Sequence, residues 1–374
     1  MRKREVGKSM ARCIICDNTI TSENKSIEHM LLNALGGHLK SSELVCKNCN
    51  SVLGQHSDAE LAKELGFAAS LFDIKREKGN NQTIISEHGD YDLAPGGTPV
   101  LKKPTVQEKL TEDGKISVSI RARSLSEAKR LIKRYRKLYP QNDWDKMLKN
   151  TKPIGKSLEE EIPIPVMFDF PKICPSIIKT AVEFYLLCGG EREYIKHLLP
   201  ILSKNEFFDK KVAQLFYPDV QVFHTEWNIL HIIDVVGNPR EKMLYAYVEL
   251  FGFLCVVVVL NADYTGEEFN ETYSYSFICD REMSVYKNRN ITRAEIEQMA
   301  DDGNYVNKLS GKIQGFMEVM NKKYLLYDIY TKAADFCEAH FKTDIYNMPT
   351  SAAEKDVAIS ELVAYTLKGR QIIE

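Results

Sequence analysis

The chain has 374 residues, 44% hydrophobic and 27% charged, with 50 Lys+Arg against 52 Asp+Glu. Its apolar content, with 18 Tyr and 16 Phe, is enough to build a core, which excludes disorder as the dominant state. A net charge of -2 excludes a uniformly basic nucleic-acid coat and a uniformly acidic solvating chain. It leaves a local patch open, because total charge says nothing about distribution.

Residues 1–12 are basic and polar, with no apolar stretch of the kind an export signal carries. The longest apolar run, FGFLCVVVVL at 251–260, is about half of what a membrane span needs and reads as a buried central strand. A cytoplasmic protein without a membrane segment is expected, its nine cysteines kept reduced.

The elements predict an α+β protein in three parts: residues 1–78, 79–165 and 166–374. The first is dense in Cys, His, Asn and Gly, and near-helical spacing of Leu61, Leu65, Ala68 and Leu71 predicts a closing helix over 57–78. LAPGGTPVLKKP at 93–104 reads as a linker. Strands over 105–110 and 115–123 follow, joined at Asp113-Gly114. A helix capped by Ser126 and ended by Pro140 comes next, with apolar Ala128, Leu131, Ile132 and Tyr135 on one face. Beyond a Pro-rich joint, helices are expected at 177–187 and 194–199. An antiparallel meander over 220–236, 243–260 and 271–278 comes next, then helices at 292–299 and 308–337.

Cys13, Cys16, Cys46 and Cys49 form two C-x-x-C pairs. Two thiolates from one tight turn, twice over, supply the four soft ligands of a closed structural zinc site. Cys174, Cys188, Cys255, Cys279 and Cys337 stand singly in apolar surroundings and are expected as buried packing residues. Between the pairs runs S-I-E-H-M-L-L-N-A-L-G-G-H, and the second pair leads straight into Asn50. A strand with Glu28-His29, a turn at Gly36-Gly37 and a helix opened by Cys46–Cys49 would bring Glu28, His29 and Asn50 together. His29 has a side chain suited to act as a base near pH 7, and Glu28 and Asn50 offer hard oxygens suited to Mg²⁺ or Mn²⁺. A Glu-His pair is also commonly a surface pair, and an Asn after C-x-x-C commonly a helix cap.

The ordered set resembles the HNH endonuclease family, the ββα-metal nucleases, in the branch whose structural zinc is held by two C-x-x-C pairs. The resemblance covers residues 13 to about 58. It implies a zinc-stabilised ββα-metal domain, and the elements predicted beyond it make a larger α+β domain with an antiparallel sheet. It implies His29 as general base, Glu28 and Asn50 as ligands of a catalytic Mg²⁺ or Mn²⁺, and the four cysteines as zinc ligands. His56 is a further candidate lining residue, while His38 reads as a solvated loop residue and Asp58 as a helix cap. The central Asn of the family name has no clear counterpart, Ser42 and Glu43 standing there. Asn50 replaces a His, and Leu32 stands where many members carry Pro.

Residues 101–156 hold 16 Lys+Arg against 6 Asp+Glu, a local charge of +10 that leaves -12 elsewhere. Arg121, Arg123, Lys129, Arg130, Lys133, Arg134, Arg136 and Lys137 form a candidate face for a phosphate backbone, with a solvated helix face as the alternative. The partner expected is DNA, with RNA open. The C-terminal part offers no motif and is expected to bind a regulatory partner, an effector or a second copy. The overall expectation is a metal-dependent DNA endonuclease with a place in restriction or anti-phage defence. The alternative is a non-catalytic zinc module that binds nucleic acid or protein.

Overall fold

The computed structural model describes residues 11–55, 57–77, 79–111, 116–149, 162–204, 212–225, 228–299 and 305–321. Internal contacts gather the chain into two compact units. One takes Met1–Leu31, His38–Leu61 and Phe170–Glu374; the other takes Leu32–Gly37 and Ala62–Asp169. The fold is α+β with an antiparallel sheet, and no described helix is long and apolar enough to cross a membrane.

β1 (Glu28–His29) pairs antiparallel with β2 (Lys40–Ser41), Glu28 opposite Ser41 and His29 opposite Lys40. Gly36 turns the chain between them at φ 83°, where a side chain would be strained. α1 (Lys47–Gln55) carries Cys49 and Asn50. The single helix expected over 57–78 is instead two short ones, α2 (Ser57–Glu64) and α3 (Gly66–Leu71). The break falls at Leu65-Gly66, a glycine being a poor helix interior.

In the second unit, β3 (Tyr91–Leu93) and β4 (Pro99–Leu101) form a hairpin closed by Ala94 N donating to Thr98 O at 2.8 Å. The segment expected as a linker is therefore structured: its glycines, Gly96 at φ 82° and Gly97 at φ 74°, make the turn. β5 (Thr105–Leu110) and β6 (Ile116–Arg121) pair as expected, with Thr105 opposite Arg121; their joining residues 112–115 lie outside the described residues. α4 (Leu125–Leu138) is capped by Ser124, not Ser126: the Ser124 hydroxyl accepts from Glu127 N at 3.2 Å, and the Glu127 carboxylate accepts from Arg123 N at 3.0 Å. The sequence is the S-x-x-E of a capping box, but the Glu127 carboxylate reaches one residue past the cap, to Arg123. α5 (Trp144–Lys149) follows, its Trp144 Nε1 donating to Tyr139 O at 2.9 Å.

α6 (Phe170–Leu187) returns to the first unit and starts seven residues earlier than expected, with Pro175 inside it. The sequence suggests a start beyond that proline because the missing N–H costs a helix bond. A 3₁₀ segment (Arg192–Leu198) and α7 (Leu199–Lys204) lead to the sheet. Its strands are β7 (Ala213–Leu215), β8 (Leu230–Asn238), β9 (Met243–Leu250), β10 (Leu254–Asn261), β11 (Phe269–Ser276) and β12 (Arg281–Glu282). They lie in the order β12-β11-β8-β9-β10-β7 with every pairing antiparallel. The antiparallel pairing expected of these segments is present, but the meander differs: 243–260, expected as one strand, is the hairpin β9–β10, and β11 returns to the far side of β8. The apolar run at 251–260 is not strand throughout, since Phe251 (φ 53°) and Gly252 (φ 72°) turn β9 into β10. α6 packs on β8, β9 and β10 and is buried along most of its length. α8 (Arg293–Met299) and a helix over residues 305–321, α9, complete the described chain.

Candidate active site and metal centre

Two tight turns build the metal centre. Asp17 N donates to Cys13 O at 2.9 Å and Cys13 N to Asn18 O at 2.8 Å, closing the first knuckle. Cys46 N, just before α1, donates to Cys13 Sγ at 3.4 Å. The four sulfurs lie within 4.8 Å of one another, and those of Cys16 and Cys46 are 3.8 Å apart. A zinc–thiolate bond of about 2.3 Å places tetrahedral sulfurs about 3.8 Å apart, so the donor set fits zinc in kind and in size. None of the four forms a disulfide. Burial pushes the Cys13 thiol up, but the N–H groups of Cys16, Cys46 and Ile15 outweigh it and bring it down to about 7. Burial and the neighbouring sulfurs push Cys49 up. Thiols so crowded cannot all ionise unaided, and a bound dication removes that conflict. Arg192 anchors the first knuckle, its Nη1 donating to Asp17 at 2.9 Å and its Nη2 to Ile14 O at 3.0 Å. Of the single cysteines, Cys174 and Cys255 are buried and Cys188 partly so, but Cys279 is exposed; Cys337 lies outside the described residues.

β1 delivers Glu28 and His29. Successive strand residues leave on opposite faces, and here Glu28 is buried while His29 is half-buried. Asn50 ties α1 to the approach to β1, its Nδ2 donating to Ser26 Oγ at 2.9 Å and to Ile27 O at 3.1 Å. The amide hydrogens are thus spent, which presents Oδ1 as the donor atom for a ligand. His56 lies outside the described residues. His38 is exposed but stacks on Tyr275, ring centroids 4.4 Å apart.

The surroundings of Glu28 are the part the sequence does not announce. Lys179 of α6 places Nζ 2.6 Å from Glu28 Oε1 and 2.7 Å from Asp58 Oδ2, with no part of its side chain exposed. Asp58 also accepts from Ser176 Oγ at 2.6 Å, and Thr180 Oγ1 donates to Met30 O at 2.7 Å. Asp58, expected as a cap, is a buried ion-pair partner. Burial drives the Glu183 carboxyl well above its ordinary range, and neither of its oxygens has a hydrogen-bond partner among the described residues. Burial pushes the Lys179 ammonium down, but Asp58, Glu183 and Glu28 together reverse this and hold it charged. A signal for the network does exist in the sequence. Ser176, Lys179, Thr180 and Glu183 stand at i, i+3, i+4 and i+7 of a helix apolar from Ile173 on apart from these four, which puts them on one stripe.

Among the described residues, the four-cysteine cluster is the single gathering of three or more His, Cys, Asp or Glu ligand atoms. All eight basic residues singled out between Arg121 and Lys137 are exposed. Arg123 and Arg130 share Glu127, at 2.6 and 3.4 Å, and Arg136 pairs with Asp145 at 2.6 Å.

A strand-turn-strand-helix unit with two cysteine knuckles at its base defines a ββα module whose four cysteines could hold a structural zinc. Residues 13–66 match the family model of the HNH endonucleases. No curated protein matches the chain, and no solved structure does. A nuclease-type module acting on nucleic acid is what the family match supports.

Proposed function

We propose that the protein is a metal-dependent endonuclease that hydrolyses phosphodiester bonds of DNA. The family match over residues 13–66, with Glu28-His29 on β1 and Asn50 hydrogen-bonded to the residues just before it, carries this reading. His29 takes the proton from the attacking water, a contribution of about 10²–10⁴-fold for general-base help. Glu28 and Asn50 are the hard-oxygen residues that would hold Mg²⁺ or Mn²⁺, which when bound neutralises charge on the phosphate. Asn50 suits that role through its oriented Oδ1, whereas Glu28 already shares its charge with Lys179. The products expected are 5′-phosphate and 3′-hydroxyl ends. The exposed basic residues of β6 and α4 supply sequence-independent grip on the backbone. A role in restriction or anti-phage defence, with the C-terminal sheet as control element, is the setting that so much structure beyond the module favours.

Purified protein with Mg²⁺ or Mn²⁺ should nick or cut plasmid DNA, and His29→Ala should abolish cutting while zinc content and melting temperature are kept. A His29→Ala protein that cuts like its parent overturns the mechanism. The Glu28–Lys179 pair favours a second reading, a non-catalytic zinc module that binds nucleic acid. That protein would bind DNA with steep salt dependence and cut none with any divalent ion.

A further inference from the structure

The sheet of the first unit holds a second polar site, remote in sequence from the HNH module and independent of the nuclease reading. Side chains alternate along β9, so Tyr245, Tyr247 and Glu249 share one face with Cys255 and Val257 of β10. That face carries an aromatic core with Phe216 and Phe223. A cavity of about 320 Å³ opens there, lined by Phe216, Phe223 and Tyr247, by Glu249 and Asp219, and by Lys308 and Lys312 of α9. Lys308 Nζ donates to Tyr217 O at 3.0 Å and lies 3.4 Å from Asp219 Oδ1. Small-molecule sites commonly span roughly 300–1,000 Å³, so the volume suffices for a base with part of its sugar.

Glu249 gives the cavity its chemistry. It is buried, and Tyr247 Oη donates to its Oε2 at 2.6 Å, while Oε1 has no partner among the described residues. A buried carboxylate oxygen left without a donor is costly, and a ligand that brings an N–H group removes that cost. The aromatic wall favours a planar ring. Lys308 is matched by Asp219, so Lys312 is the lysine that disfavours a simple cation, and the Glu249 carboxylate disfavours a simple anion. A ligand that satisfies all three has a donor edge at one end of a planar ring and a negative group at the other.

We propose that this cavity binds a purine nucleotide of the guanine type, its N–H edge on Glu249 Oε1, its ring against Phe216, Phe223 and Tyr247, and its phosphate toward Lys312. Adenine places an acceptor where guanine has a donor, so Glu249 selects against it.

Calorimetry and thermal shift on the full chain, with GMP, AMP, guanosine and inorganic phosphate as probes, test this. GMP should bind and raise the melting temperature, AMP should bind at least about tenfold more weakly, and Glu249→Gln should lose at least about tenfold for GMP. Lys312→Glu, on the accessible helix, should weaken GMP but leave guanosine unchanged, and it decides the matter if Glu249→Gln does not fold. The proposal is overturned if GMP gives neither heat nor shift in the low-millimolar range. Equal binding of AMP and GMP overturns it, as does tighter binding of a zwitterionic amino acid such as tryptophan.

Discussion

Lys179 Nζ lies 2.6 Å from Glu28 Oε1, and neither side chain is open to solvent to any useful extent. The pair joins residues 151 positions apart and ties the acidic residue of the Glu28-His29 motif to a helix that packs on the C-terminal sheet. Buried pairs of this kind gain little over an apolar substitute but cost heavily when one partner is removed. Lys179→Met should therefore destabilise the protein by about 3–5 kcal/mol in urea unfolding, because Glu28 and Asp58 are left buried without a counter-charge. Adding Glu28→Gln to that variant should recover part of the loss, a coupling that a double-mutant cycle measures.

Removal of zinc should be more severe. One equivalent of zinc per chain is expected, released by a chelator with loss of the fold around residues 13–66, since zinc-binding free energy in finger-like peptides is about 10–16 kcal/mol. Cys46→Ser should lose the metal, whereas Cys279→Ser should retain it. Colorimetric zinc titration during denaturation checks both.

Acid should weaken the start of α4 only below the ordinary carboxylate range. Hydrogen bonds from the Arg123 side chain, then from its backbone N–H, hold the Glu127 carboxyl down at about 2, against an ordinary 4.5. A folded-state value below the unfolded one gives stability that is complete above pH 4.5 and is lost as the pH falls toward about 2. The stability difference between the parent and Glu127→Gln should shrink over that interval and be flat above it. Unfolding curves at several pH values test this.

The basic face should show itself in salt dependence. Reversing Lys129, Lys133, Arg134 and Lys137 together should weaken DNA binding and reduce the slope of log K against log salt by roughly 0.9 for each phosphate no longer neutralised. Fluorescence anisotropy with a duplex at several salt concentrations provides the slope. An unchanged slope would make this a solvated helix face.

What could be read from the sequence was local chemistry with a fixed period or spacing. The cysteine pairs announce a metal site because four soft ligands at that spacing have few other uses. The β5–β6 hairpin was legible through the alternation of Ile116, Val118 and Ile120. The register of β11 against β8 was not, since strand order is settled by which faces pack and not by succession. Pro175 concealed the first turns of α6 because local propensity there is overridden by burial. Lys179 was hidden for a related reason: its counter-charges come from β1 and α2, and no local pattern in α6 says which distant acids it will meet.

The span between Glu28 and Lys179 also sets an order of events during synthesis. Glu28 and Asp58 leave the ribosome first, and at roughly 5–20 residues per second the lysine that neutralises them follows Glu28 only after about 8–30 s. Asp58, 121 positions before Lys179, joins Glu28 for about the last 6–24 s of that interval, and the segment then holds two acids destined for burial without their lysine. The buried charges of this N-terminal unit are therefore balanced only once a helix far outside the family match has been made.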